Sequence, residues 1–318
     1  MTLGFFVDEG EEALIQHLSK WLGTIAVLLG ATCYGILNTV IKLAFDEGLT
    51  PAMITVVQLF FGSIVMWTIL LLKRDKLAKI GWLDWVRISL LGIIGLTLTS
   101  IFSNLALERL SVALTIVLLF QSAWITVVLE WLFGRNKPSL QQLLATIIVL
   151  TGTVISVGIS ADDIKNISFL GLFYGFLSGM SFSLFLFFSG RVRTNISAIH
   201  KSAIMLSGSF VVVVPTLILL FPTQIAVSEV SYMTWLKWGV PLSIVGSIVP
   251  LILMNWGLAR VGSTIGATIS PFEIPVSAWL AWLILGERIV PQQLIGICLI
   301  IVGIIFVEWP LKRQFVKR

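Results

Sequence analysis

A single carboxylate, Glu273, lies in the stretch TIGATISPFEIPVSAWLAWLILGERIVPQ, residues 264–292, with Pro271 two positions before it and Pro275 two after. Residues 264–285 are long and apolar enough to cross a bilayer. An acid at that depth costs about 2.5–3.5 kcal/mol on insertion scales, which marks it as a site for solute or proton. Each proline removes a helical hydrogen bond and crowds the carbonyl four residues back, on Ala267 and on Pro271 itself. Such interrupted backbone survives at membrane depth only inside protein or beside a wet cavity. A further reading stays open: Glu273 is structural, protonated against a serine or accepting from freed backbone N–H groups.

Helical spacing puts Gly266, Ser270, Glu273 and Ser277 on one face. Ile265, Ile269, Phe272, Val276 and Trp279 fall on the other, which is expected to face lipid. A greasy outer side and a small, polar inner side suit a helix that lines a cavity.

The elements that position this helix follow from composition. The 318 residues are 57% hydrophobic and 12% charged, against about 25% charged in soluble domains. The chain therefore reads as all-α, a polytopic membrane protein. Ten apolar segments can be marked: 21–41, 51–72, 86–107, 111–133, 140–159, 169–190, 203–221, 235–258, 264–285 and 293–309. The first twenty residues and the loop 73–87 are the longest polar stretches, and neither builds a core. The N-terminus is acidic where a signal peptide is basic. Cys33 and Cys298 both fall in apolar segments, so a disulfide framework is not expected.

The net charge of +5 does not imply nucleic-acid binding, because the basic residues lie in short loops between apolar runs. With the N-terminus placed in the cytoplasm, 16 of the 21 basic residues fall on the cytoplasmic side, His200 and Lys201 among the loop residues there. That asymmetry predicts a multi-pass protein of the cell membrane with both termini cytoplasmic.

The chain repeats itself at an offset of 151. Asn104 meets Asn255, Leu107 meets Leu258, Arg109 meets Arg260, Trp131 meets Trp282, and Gln141-Gln142-Leu143 meets Gln292-Gln293-Leu294. Five segments per half force the second half upside down relative to the first. Two inverted five-helix repeats, 21–160 and 161–309, are a transporter architecture with solute bound near the midplane. A cytoplasmic tail, 1–20, precedes them and a basic tail, 310–318, follows.

The offset sets Ser122 opposite Glu273 and gives the fourth segment its own polar stripe, with Thr115, Thr126 and Glu130. Asn38 shares a face of the first segment with Gly35 and Lys42; Lys42 is either an interfacial anchor or a solute contact. Asn104 lies on a stripe with Thr97, Ser100 and Glu108. Asn104 and Asn255 are expected to do the same work in each half, as packing groups or as pocket lining. Gly171, Gly175 and Gly179 predict close helix packing. Pro215, Pro241 and Pro250 are further kink candidates, Pro250 with Pro271 and Pro275 bearing on the pocket.

No HExxH, paired cysteines, G-x-x-x-x-G-K-[ST] or His/Asp metal cluster occurs in the chain. ATP-driven pumping and zinc proteolysis are not expected, and neither metal nor cofactor is called for.

YGILNTVIK, residues 34–42, and RVGSTIGATISPFEIPVSAWLAWLILGERIVPQQLIG, residues 260–296, resemble the EamA family of the drug/metabolite transporter superfamily. The shorter stretch is similar to an aromatic-Gly-x-x-Asn-x-x-x-Lys pattern. The longer one is similar to a Pro-containing ninth span followed by Gly286, Glu287 and Arg288. The resemblance covers nearly the whole chain. It implies a ten-helix basket that moves small metabolites, often exporting amino acids or related compounds in exchange for protons. Two departures stand out: Gln58 where that family often has Arg, and LFGRNKP in place of a Gly-Glu-Arg run in the first half.

The expected activity is secondary transport by alternating access, with no catalytic group. Glu273 would bind a solute amine or a proton. Gly266, Ser270, Ser277, Ser122, Asn104, Asn38 and Asn255 would shape the pocket. The expected partners are the lipid bilayer, a small-molecule solute and protons, with a homodimer left open. A non-transporting scaffold or sensor, or a membrane enzyme using Glu273, remains the alternative.

Overall fold

Apolar runs this long cannot leave N–H and C=O groups bare in lipid, so they close their hydrogen bonds internally as helices. The computed structural model describes residues 3–72, 80–134, 137–158, 168–192, 196–220, 222, 231–286 and 288–309, with side chains from residue 15 onward apart from 16, 113 and 232. Ten helices are long and apolar enough to span a membrane. They are α1 (His17–Asp46), α2 (Pro51–Leu72), α3 (Trp82–Leu107), α4 (Leu114–Phe133), α5 (Leu140–Val157), α6 (Phe169–Ser189), α7 (Ala198–Leu220), α8 (Met233–Val261), α9 (Ser263–Leu285) and α10 (Pro291–Glu308). No strand occurs among the described residues. Tail residues 310–318 and the loop basics Lys73, Arg74, Lys76, Lys79, Arg135, Lys165 and Arg193 lie outside the described residues, as does Glu287.

Two boundaries differ from expectation. The helix containing α1 runs unbroken from Leu3 to Asp46, so the expected N-terminal tail continues the first span. And α7 begins at Ala198 rather than 203, which draws His200 and Lys201 out of the loop and into the helix. Both are buried, at 3% and 6% exposure.

The two halves correspond in their irregularities as well as their residues. A π-helical turn at Ile93–Leu98 interrupts α3, and one at Ile244–Ile248 interrupts α8. The 151-residue offset carries Ile93 onto Ile244. The α4 helix breaks at Phe120 and Gln121, between Val112–Leu119 and Ser122–Phe133. The offset carries that break onto Pro271 and Phe272, inside the 3-10 turn Ser270–Phe272 that breaks α9. Proline therefore does not dictate these breaks alone, since neither α3 nor α4 contains one at its interruption.

Packing obeys the same exchange. Helix α1 runs along α8 and α9, and α6 runs along α3 and α4. The α2–α8 contact has its counterpart in α7–α3. The pairs α2–α7, α4–α9 and α5–α10 map onto themselves with the partners swapped. This is the contact pattern of two inverted five-helix repeats about an in-plane pseudo-two-fold.

Between apolar helices in lipid, association rests on close packing rather than on the hydrophobic effect, so small residues mark the crossings. A Cβ on Gly152 of α5 would lie 2.8 Å from the Gly296 carbonyl oxygen of α10. Gly171, Gly175 and Gly179 of α6 meet Leu110 and Leu118 beside and within α4, in keeping with their spacing. Phe185, Met205, Leu206, Leu251 and Met254 fill the centre. Large apolar side chains such as Leu72, Trp82, Phe133 and Phe169 cover the outside, where lipid would meet them.

One face assignment needs correction. Ile265 and Ile269 do not face lipid: they are 6% and 0% exposed. Every residue of the segment Ser263–Ile269 is buried, on both faces, among α4, α5, α6, α8 and α10. Only after the 3-10 turn does α9 reach the periphery, where Trp279 and Trp282 are exposed. The break redirects the helix, so no single helical wheel describes it.

Candidate functional site

The break in α9 puts Glu273 at the first residue of the segment Glu273–Leu285. The equivalent Ser122 stands first in the later segment of α4, 1% exposed. Pro271 lies in the 3-10 turn, and Pro275 falls in the first turn of the new segment, where its missing N–H costs little. Ser270 is buried, and its hydroxyl donates to the Gly266 carbonyl at 2.8 Å, satisfying a group inside the interrupted region.

Glu273 points toward α1. Asn38 Nδ2 donates to Glu273 Oε1 at 2.9 Å, joining the first half to the second. Among the described residues no cation pairs with Glu273. Gly35, one turn before Asn38, permits this reach. A Cβ there would sit 2.8 Å from the Glu273 carbonyl oxygen and 2.7 Å from Val276 Cβ. The glycine lets α1 lie against the backbone of α9 at the carboxylate. Ser277 is partly buried one turn further along.

Asn255 belongs to a different group. Its Oδ1 accepts from Ser189 Oγ at 2.7 Å, and its Nδ2 donates to Ser202 Oγ at 3.0 Å. Lys201 Nζ donates to the Ser189 carbonyl at 2.5 Å. Pro250 is buried at the start of the last segment of α8, one turn before Met254, and its carbonyl lies beside Gly30 of α1. Asn104, the repeat partner of Asn255, is also buried, yet its Nδ2 has no hydrogen-bond partner among the described residues. The two asparagines therefore differ in their hydrogen bonds. Asn255 and both its serines lie in the second half, whereas Ser103, next to Asn104 in the first half, pairs across to Ser178 of the second at 2.7 Å.

Two ionic groups tie the halves together at opposite ends. At the end holding the start of α1, Glu130 of α4 meets Arg191, just past α6, at 2.5 Å, and also accepts from Ser263 at the start of α9. Arg191 lies over the Phe187 ring at 3.7 Å and donates to Ser263 Oγ at 3.3 Å. At the other end, Glu47 pairs with Lys237 and accepts from Trp238 Nε1 at 2.9 Å. The hydrogen bond from Lys237, then that from Trp238, holds the Glu47 carboxyl below the usual carboxylate range. Sequence reasoning missed the Glu47 and Arg191 groups, whose partners are 190 and 61 residues away.

The sequence pattern described as the EamA-like transporter family matches residues 21–158 and again residues 169–309. The chain is similar to the "Uncharacterized transporter YcbK" of Bacillus subtilis, 22% identical over 286 residues that cover 86% of this chain and 88% of that one. It is also similar to the "Uncharacterized inner membrane transporter YicL" of Salmonella typhimurium, 21% identical over 297 residues that cover 92% and 97%. One solved crystal structure, 17% identical, superposes with a TM-score of 0.71 over 91% of this chain and 97% of its own, which shows a shared fold. With the family pattern matched once in each inverted half, and with ten bilayer-length helices around a broken ninth, the chain belongs to the EamA-like transporter family of membrane transporters.

Proposed function

We propose that the protein is a secondary carrier that exports a small metabolite, an amino acid or related amine, in exchange for protons. Glu273 is the group that both proton and solute amine compete for. The observation that carries this reading is the Asn38–Glu273 hydrogen bond at the helix break. It holds one carboxylate oxygen from the opposite half and pairs the acid with no cation among the described residues. An acid so placed can exchange a proton for a cationic ligand, and breaking the inter-half bond couples that exchange to movement. Gly266, Ser270, Ser277 and Ser122 shape the surroundings of the two breaks, and Asn104 offers an amide N–H with no partner among the described residues.

In this reading both termini are cytoplasmic, and the Glu130–Arg191–Ser263 group closes the cytoplasmic end. The positive-inside asymmetry of the loops supports that orientation. The Glu47–Lys237–Trp238 group closes the outer end.

Metabolite profiling of cells with and without the protein, followed by flux of the accumulated compounds in liposomes, tests the proposal. Amines that accumulate in the deleted strain and exchange against protons in liposomes are expected. A saturable flux of compounds lacking any amine, indifferent to a proton gradient, would overturn it.

A further inference from the structure

A separate cavity opens at the end of the bundle that holds the start of α1. It is an open recess of about 420 Å³, within the size range of small-molecule sites. Ser189, Val192, Lys201, Asn255, Trp256 and Arg260 line it. Its chemistry is the reverse of that at Glu273: two cations and no carboxylate among the described residues that line it.

Lys201 is the unusual member. It is 6% exposed, and its ammonium spends one N–H on the Ser189 carbonyl. An ammonium carries three donors, so two remain. The polar neighbours are already committed: Ser189 Oγ donates to Asn255, and Asn255 Nδ2 donates to Ser202. No aspartate or glutamate among the described residues pairs with Lys201. A buried charge without a counter-ion is costly, and proteins rarely keep one without a use. Arg260 stands at the mouth, its guanidinium 3.5 Å over the Trp256 ring and one N–H on the Trp256 carbonyl. That stacking holds a planar donor at the cavity's edge. The Ser189–Asn255–Ser202 relay in turn fixes α6, α7 and α8 around the ammonium.

We propose that this cavity is an oxyanion site, in which Lys201 and Arg260 take a carboxylate or phosphate group, separate from the Glu273 site. Where the oxyanion is the carboxylate of the transported solute, the protein reads the two ends of a zwitterion at two places. Only that last step rests on the carrier reading; the binding itself does not.

The full chain in nanodiscs is the sample, and acetate and inorganic phosphate are the probes, each replacing chloride at constant ionic strength. Thermal unfolding is followed by intrinsic fluorescence. Both probes are expected to raise the melting temperature of the wild type. Lys201→Met should weaken the apparent affinity about tenfold or more, the usual effect of deleting a hydrogen bond to a charged group. Arg260→Gln, at an exposed position where folding is not at stake, should weaken it by a smaller factor. Lys201→Arg should recover part of the response, and Glu273→Gln should keep it. No probe response in the wild type, or equal responses in wild type and Lys201→Met, would overturn the proposal. Loss of the response in Glu273→Gln would do so as well, because the two sites would then be one.

Nanodiscs of phosphatidylcholine alone, compared with discs about one-third phosphatidylglycerol, separate the sources of the oxyanion. A response lost only in the anionic discs means that a lipid phosphate is the native occupant. A response present in both leaves the site to a soluble anion. Failure of the carrier reading would show elsewhere, as unaltered proton exchange in Glu273→Gln with the oxyanion response intact.

Discussion

Asn38 and Glu273 stand 235 residues apart in the chain and 2.9 Å apart in the fold, one on each inverted half. The bond satisfies one oxygen of an acid that the membrane would otherwise penalise, and it does so from the opposite half. Asn38→Ala leaves the acid without its amide partner, and a hydrogen bond to a charged group contributes about 1.5–3 kcal/mol. Solute affinity in liposome exchange should fall by about tenfold or more, with the protein still folded by size-exclusion chromatography. Unchanged affinity would mean that the carboxylate does not meet the solute.

Gly35 sets how near those two groups can come. A methyl group there collides with the Glu273 carbonyl oxygen and with Val276. Overpacking of this kind costs about 1–3 kcal/mol. Gly35→Ala should lower the melting temperature and reduce flux together, whereas Gly48→Ala, at a turn with open space, should affect melting through its backbone conformation alone and leave flux per folded molecule unchanged.

The group Glu130–Arg191–Ser263 should behave as a latch between the halves. Glu130 is the more buried partner and Arg191 is about a third exposed, so the pair contributes about 1 kcal/mol after screening by solvent. A double-mutant cycle with Glu130→Gln and Arg191→Gln should show coupling of that order. Glu130→Gln should also increase alkylation of a cysteine placed at Ser263. Slower alkylation in that variant would show that the contact does not restrain opening.

At the other end, Glu47 gives a dependence on pH. Its carboxyl titrates below its unfolded value, because Lys237 and Trp238 donate to the charged form. The stabilisation is therefore present above the unfolded value, about 4.3, and is lost as pH falls through the lower folded value. Protection of the amides in the turn after α1, taken relative to their intrinsic exchange rate at each pH, should fall over that acid range. Glu47→Gln should show the lower protection at every pH. A wild-type turn whose protection stays constant from neutral to acid would contradict the assignment.

Much of this was legible in the residues. Asn104 over Asn255, Trp131 over Trp282 and the paired glutamines disclosed the repeat, and the structure adds matching π-helical turns and matching helix breaks. Hydropathy located the spans because lipid imposes length and polarity with little ambiguity. Asn38 and Glu273 were both visible as polar positions at depth, but their contact was not, since no periodicity within one helix reports which neighbour it faces. Lys201 was hidden for a related reason. It sits one turn inside α7, where a hydropathy window still counts it with the loop. The burial of Ile265 and Ile269 was missed because a helical wheel assumes one unbroken helix, and the turn at Ser270–Phe272 makes two.

The measurement that bears most directly on the role of Glu273 is proton movement in sealed proteoliposomes on addition of the small-molecule fraction of the native cell. Wild-type vesicles should show a saturable, solute-driven pH change, and Glu273→Gln vesicles, folded to the same extent, should show none. A pH change of equal size and saturation in the Glu273→Gln vesicles would contradict the account.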